Sequence, residues 1–239
     1  MNHLLSKIGS YPFEKLNLLH KDIKPSKEVI NLSIGEPKLN ADSKVLDILN
    51  KETNSFSNYP PMNAVPELSE AYRQYLKNHF GIENVAEDEV CLVAGTREGT
   101  FSIIQALFNK ENVKEKPYVV MPNPFYQIYG GATTLAGGEA KFLDCPEEDN
   151  FQPDLDSLKS EDWQKCQILV LCSPNNPTGS VLPLSKLKNI LDLAEKYDFY
   201  VVSDECYVDL YTYEKSCPSI LQASSAVSYT HLTLPTTPY

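Results

Sequence analysis

Short apolar runs alternate along this chain with longer stretches in which apolar positions recur every three or four residues, the two spacings that separate a buried strand from an amphipathic helix. Runs at 90–94, 118–121, 139–143, 168–172 and 199–203 read as strands, most of them apolar enough to be buried on both faces. Helical spacing falls at 66–80, 96–108, 125–136 and 183–197, and Pro66 suits a first helical turn. Strands alternating with helices over short connections predict an α/β fold, a mostly parallel sheet covered by helices on both faces. No internal repeat or long linker interrupts the pattern.

Two polar signatures close the last two strands. Ser173-Pro174-Asn175-Asn176-Pro177-Thr178-Gly179 follows 168–172, and Ser203-Asp204-Glu205-Cys206-Tyr207 ends the strand at 199–203. With one helix between them they form a strand, crossover helix, strand unit, and ligands of open α/β sheets bind beyond the carboxyl ends of the strands. Asn176 and Asp204 are therefore expected to face one pocket. A buried aspartate opposite a pyridine nitrogen keeps that nitrogen protonated, because an opposite charge favours the charged form. The amide of Asn176 and the hydroxyl of Tyr207 can bond a phenolic oxygen on the same ring. These are the groups with which a protein holds pyridoxal 5′-phosphate (PLP).

The paired signatures resemble the NPTG and SDExY motifs of the class I/II aminotransferases, and the resemblance runs from about residue 10 to about residue 224. It implies the PLP-dependent transferase fold of type I and an N-terminal arm belonging to a small domain. Asn176, Asp204 and Tyr207 would then bind cofactor. Gly95-Thr96-Arg97-Glu98 opens a predicted helix, where free amides and the helix dipole favour an anion, so Thr96 and Arg97 are the phosphate-cradle candidates. Tyr126, in Pro124-Phe125-Tyr126-Gln127-Ile128-Tyr129, aligns with the aromatic that lies on the pyridine ring, and Tyr59 with the tyrosine that reaches the phosphate of the partner subunit's cofactor. Ile34 and Gly35, with Asn176, align with the substrate-carboxylate site. Ala64 and Gly99 depart from the family's usual glycine and alanine.

Within the family, 11–16, 32–38, 95–98 and 121–129 look most like the N-succinyldiaminopimelate aminotransferases. That likeness implies exchange of an amino group between N-succinyl-LL-2,6-diaminopimelate and 2-oxoglutarate/glutamate, in lysine and diaminopimelate biosynthesis. It also implies a homodimer at full length. Two alternatives stay open on the same residues: another PLP activity, such as an aspartate or aromatic aminotransferase or a C–S lyase, and a non-catalytic ligand-sensing module.

Composition adds exclusions. The 239 residues are 42% hydrophobic and 22% charged, ordinary for a globular enzyme. A net charge of −11 argues against nucleic acid or an anionic membrane as partner. No apolar run has the length of a membrane span, and the N-terminus has no signal-peptide core, so a cytoplasmic enzyme is expected. Six cysteines without a Cys-x-x-Cys pair read as reduced thiols, with no metal site.

The end of the chain breaks the pattern. Lys215 is the only lysine after Asp204, and it lacks the Ser-x-x-Lys setting of the lysine that the family joins to PLP, so no catalytic residue is assigned and this stretch is expected to be inactive alone. From Ser216 to Tyr239 there is no Asp, Glu, Lys or Arg, and the ending from Ser228 resembles a translated sequencing adapter. The expected organisation is an N-terminal arm and small-domain segment at 1–45, an incomplete large PLP-binding domain at 46–225 and a non-native tail at 226–239, set aside from fold reasoning. The family's sheet places two strands from downstream sequence between 90–94 and 199–203. Without them the first strand should lose its neighbours and the second should become an exposed edge.

Overall fold

The computed structural model describes residues 2–9, 11–30, 32, 35, 40–57, 59, 65–111, 116–210, 217–224 and 232–234. They fall into two compact units, one within residues 8–62 and one formed from residues 1–7 and 63–238. The smaller unit holds helices α1 (Pro12–His20) and α2 (Ser43–Lys51). Pro12 starts α1, and the Asp42 side chain caps α2 by accepting the Lys44 amide at 2.8 Å.

The larger unit contains helices α3 (Pro66–Phe80), α4 (Thr96–Leu107), α5 (Gln127–Ala136), α6 (Ser160–Trp163), α7 (Leu184–Tyr197) and α8 (Ile220–Ser224). Its sheet is built from β1 (Tyr118–Asn123), β2 (Glu139–Asp144), β3 (Cys166–Cys172), β4 (Tyr200–Asp204) and β5 (Leu232–Leu234), in the order β2-β1-β3-β4-β5. Every pairing is parallel. The expected α/β architecture is what forms, and four expected helices and four expected strands appear within two residues of their sequence bounds.

The middle strand explains why a run such as Cys166–Cys172 shows no alternation: all of it is buried. Leu169 and Leu171 point into a cluster with Val120, Leu143, Val201, Leu187, Ile190, Leu191 and the stacked pair Trp163 and Phe199, whose rings lie 5.5 Å apart. Ile168 and Val170 point the other way, into a cluster with Val119, Met121, Val202, Ile104, Tyr129 and Ala132. Helices α7 and α8 thus cover one face, and α4 and α5 the other. A third cluster joins Leu76 and Phe80 of α3 to Val208 and Cys217.

Two expectations fail, for one reason. Residues 90–94 form no strand, and Leu92 and Val93 remain 42% and 46% exposed. Apolar residues do not make a strand without a neighbour to take its amides and carbonyls, and among the described residues no strand pairs with this run. The outer edge of β4 is not open, because β5 pairs with it from Val202↔Leu232 to Asp204↔Leu234. β5 comes from the stretch set aside in the sequence reading: an unfilled edge accepts a strand-forming Leu-Thr-Leu whatever its origin.

The layering makes a stability prediction. Leu169→Ala, at the centre of β3, should cost about 2–5 kcal/mol in a urea titration, whereas Leu210→Ala, 63% exposed, should change it by less than about 0.5 kcal/mol. Equal effects would contradict the burial.

Candidate functional site

Three loops and one helix terminus meet at the carboxyl end of the sheet. The register that pairs Cys172 with Asp204 brings the end of β3 level with the end of β4, and the Ser173 amide donates to the Asp204 carbonyl at 3.1 Å. Both signatures therefore leave the sheet at the same height.

After β3 the chain ties itself into a closed loop. The Asn175 amide donates to the Ser180 carbonyl at 2.8 Å, the Gly179 amide to the Asn175 carbonyl at 2.7 Å, the Asn175 side-chain amide to Thr178 Oγ1 at 3.0 Å and the Leu182 amide to Ser173 Oγ at 3.0 Å. Gly179 has φ +71°, which favours glycine. Serine, the first asparagine, threonine and glycine are thus used on the loop itself. The Asn176 amide reaches instead across the site, with Nδ2 3.5 Å from the Tyr207 hydroxyl. Burial pushes the Tyr207 phenol up to about 12, so it stays protonated.

Asp204 ends β4 and is 4% exposed. Its Oδ2 accepts the Tyr129 hydroxyl at 2.7 Å and its Oδ1 the Cys206 amide at 3.2 Å. Burial pushes the carboxyl above the ordinary range, and the bonds from Tyr129 and Cys206 pull it back. Tyr129 is driven up, first by burial and then by the charge of Asp204, so its phenol remains a donor. The Cys206 thiol is held protonated by its bond with Cys172, by burial and by Asp204.

Thr96 is the first residue of α4, and Gly95 before it has φ +123° and no side chain with which to cap the helix. A Cβ at Gly95 would lie 3.1 Å from Glu98 Oε2 in a strained conformation. The first-turn amides are thus offered to an anion. Arg97 Nε donates to the Tyr126 hydroxyl at 2.9 Å, and the Tyr126 ring meets that of Tyr129 edge-on, 5.8 Å between centroids. A chain of contacts therefore runs from Arg97 through Tyr126 and Tyr129 to Asp204.

Six expected residues, Thr96, Arg97, Tyr126, Asn176, Asp204 and Tyr207, belong to this one unit. Tyr59 and Gly35 belong to the smaller unit, where Tyr59 is 99% exposed and nothing lies within 4 Å of a Cβ built on Gly35. Ile34 and Lys215 lie outside the described residues.

Tyr129 had no role in the sequence reading, although its spacing of three from Tyr126 puts both phenols on one side of a helix start. Glu205 was also missed. It is 4% exposed, and its Oε1 accepts the Ile220 amide at 2.8 Å and the Ser203 hydroxyl at 3.0 Å, so it anchors the start of α8 to the sheet. Its charge, after burial, helps to hold the Tyr72 phenol of α3 protonated.

The donor set fits PLP: a buried acid for a ring nitrogen, an amide beside a phenol for a ring oxygen, an aromatic ring, and an uncapped helix N-terminus for a phosphate. Among the described residues no His, Cys, Asp or Glu cluster suits a metal ion, and no helix is long and apolar enough to cross a membrane.

Comparison with known proteins identifies the family. The family profile for aminotransferase class I and II matches residues 27–235. The chain is 29% identical to an LL-diaminopimelate aminotransferase of Aquifex aeolicus over 93% of its own length and 57% of that protein. It is 30% identical to an aspartate aminotransferase of Pyrococcus horikoshii over 81% of its own length and 48% of that protein. Among solved structures, an aminotransferase of Neisseria meningitidis superposes with a TM-score of 0.90 at 38% identity, covering 99% of this chain and 61% of the other. The chain thus spans roughly half to three-fifths of the relatives it matches.

Glu205 makes a pH prediction. Burial raises its pKa from 4.5 to about 7, against the bonds from Ile220, Ser219 and Ser203, so the fold favours the neutral carboxyl. Its contribution to stability is fully present below pH 4.5 and is lost as pH rises through about 7. Glu205→Gln should match the unaltered chain at the acid end and exceed it by roughly 3 kcal/mol above neutrality, read from urea unfolding across that range. A difference that does not change with pH would show that the carboxyl is charged in the fold.

Proposed function

Because the chain belongs to the class I and II aminotransferases, whose members are PLP-dependent, we propose that the Asp204 cluster is a PLP site and that the whole protein moves an amino group between an amino acid and a 2-oxo acid. The observation that carries this reading is the Asp204 carboxylate, buried at the carboxyl end of β4 with each oxygen held by a different element. A buried acid is costly unless it has partners, and a cationic ring nitrogen is the partner that makes its charged form favourable.

Each residue has a physical task in this reading. Asp204 holds a proton on the ring nitrogen. Asn176 and Tyr207 donate to the ring oxygen, Tyr126 packs against the ring, and the amides of Thr96 and Arg97 receive the phosphate. Bound there, the cofactor supplies an electron sink for the substrate's α-carbon. Arg97 bonds the Tyr126 hydroxyl and so holds the aromatic platform in place. Ile34, Gly35 and Asn176 serve the substrate carboxylate, and Tyr59 serves the phosphate of the partner's cofactor in a cytoplasmic homodimer.

The substrate pair we favour is N-succinyl-LL-2,6-diaminopimelate with 2-oxoglutarate. Support comes from the wording of 11–16, 32–38, 95–98 and 121–129, and from relatives named for the LL-diaminopimelate skeleton. A similar relative named for aspartate keeps that amino acid as the competing donor.

Equilibrium dialysis against 4′-deoxypyridoxine 5′-phosphate, which has no aldehyde to react with stray lysines, tests the site. Asp204→Ala should weaken binding about 10- to 100-fold through loss of a charge-assisted bond, and Tyr126→Leu about 3- to 10-fold through loss of ring stacking. Binding that ignores Asp204→Ala would sink the assignment. For the substrate, glutamate formation is compared in a chain extended to the length of its relatives. Faster turnover of aspartate than of the succinylated donor would refute the choice.

A further inference from the structure

We infer that Tyr129 is a positioning residue for this site, acting through Asp204: its hydroxyl fixes the plane of the carboxylate and keeps it charged to meet a ring nitrogen. The inference rests on reading the pocket as a PLP site. Three observations carry it.

The first is geometry. Tyr129 is fully buried, and its hydroxyl is 2.7 Å from Asp204 Oδ2 while the Cys206 amide takes Oδ1. The two oxygens are thus held from α5 on one side and from the loop after β4 on the other. A carboxylate bonded at one oxygen can swing about that bond; one bonded at both has a defined plane.

The second is the rigidity of the donor. The Tyr129 amide bonds the Tyr126 carbonyl at 3.0 Å, its carbonyl accepts the Thr133 hydroxyl at 2.8 Å, and its ring packs among Ile104, Met121 and Val170. The phenol cannot be redirected without moving the first turn of α5. That turn also carries Tyr126, so one tyrosine sets the carboxylate while its edge braces the ring expected to lie on the cofactor.

The third is electrostatic. Asp204 sits in a place that opposes its charge, and the Tyr129 bond is the foremost influence favouring the ionised form, with Cys206 second. The other titratable groups facing Asp204 are Glu205, Cys206 and Tyr207 on the loop after β4 and Cys172 at the end of β3. Glu205 is negative when charged and opposes ionisation. Among these described groups none is a cation. Remove the Tyr129 hydroxyl and the carboxyl gains a proton more readily; once neutral, it cannot stabilise a cationic nitrogen.

Tyr129→Phe tests this with little change of shape. The Asp204 carboxyl is followed by carbon-13 NMR of the unliganded chain against pH, and the ring nitrogen of ¹⁵N-labelled 4′-deoxypyridoxine 5′-phosphate by its shift when bound. The variant should raise the Asp204 midpoint by about one pH unit or more, weaken the analogue about tenfold at pH 8, and move the nitrogen signal toward its unprotonated position. An unaltered midpoint and nitrogen signal would overturn the role of Tyr129. If Tyr129→Phe does not fold, 3-fluorotyrosine at position 129 keeps the ring and strengthens the donor. It should lower the Asp204 midpoint, and no shift overturns the inference.

The site reading fails separately. If the unaltered chain does not bind the analogue, or Asp204→Asn binds it equally well, the pocket is not a PLP site. If binding needs Asp204 while Tyr129→Phe leaves the carboxyl and the ring nitrogen unmoved, only the role of Tyr129 is lost.

Discussion

The pairing of β3 with β4 is the constraint on which the site depends. A parallel ladder aligns the two strands by residue, so that Cys172 stands opposite Asp204 and the loops that follow begin at one level. Short connections then have little freedom. The loop after β3 closes on its own hydrogen bonds and projects one amide, Asn176, toward Tyr207. A slip of one residue would turn Asp204 to the opposite face of the sheet. What prevents the slip is the apolar packing of β3, since Leu169 and Leu171 fill one cluster and Ile168 and Val170 the other.

The same alternation divides labour between two adjacent acids. Asp204 turns toward α5 and Tyr129, and Glu205 toward α8 and the Ile220 amide. Both are buried, and burial opposes the charge of each. The partners differ in kind, however. Glu205 is spent within the fold, accepting the amide of Ile220 and the hydroxyl of Ser203 and so tying 217–224 to the sheet. Asp204 ends β4 at the carboxyl edge of the sheet, with one oxygen held by Tyr129 and the other by Cys206. A carboxylate that anchors a helix and one proposed to meet a cofactor can therefore be neighbours in sequence with different partners.

The Tyr126–Tyr129 pair joins the sheet to the helix layer. Arg97, on the first turn of α4, bonds Tyr126, and Tyr129 bonds Asp204. Side chains from α4, α5 and β4 are thereby coupled at the point where a cofactor ring would lie. Groups coupled in this way are expected to respond together when one is altered.

Much of this was legible in the sequence, and for a local reason. Strand and helix periods, the turn chemistry of Ser173 to Gly179, the glycine before Thr96 and the acid after 199–203 are properties of neighbouring residues, and they pointed to the α/β sheet and to residues among which the fold joins Asn176 to Tyr207 and Arg97 to Tyr126. What the sequence alone did not determine were matters of who stands next to whom across long distances. Residues 90–94 are as apolar as a strand but have no ladder partner among the described residues, while Leu232–Leu234, set aside beforehand, pair with β4 because an edge was open. Tyr129 and Asp204 lie 75 residues apart. Only the tertiary structure brings that phenol to that carboxylate, since a hydrogen bond between distant segments is decided by packing, which no local period encodes.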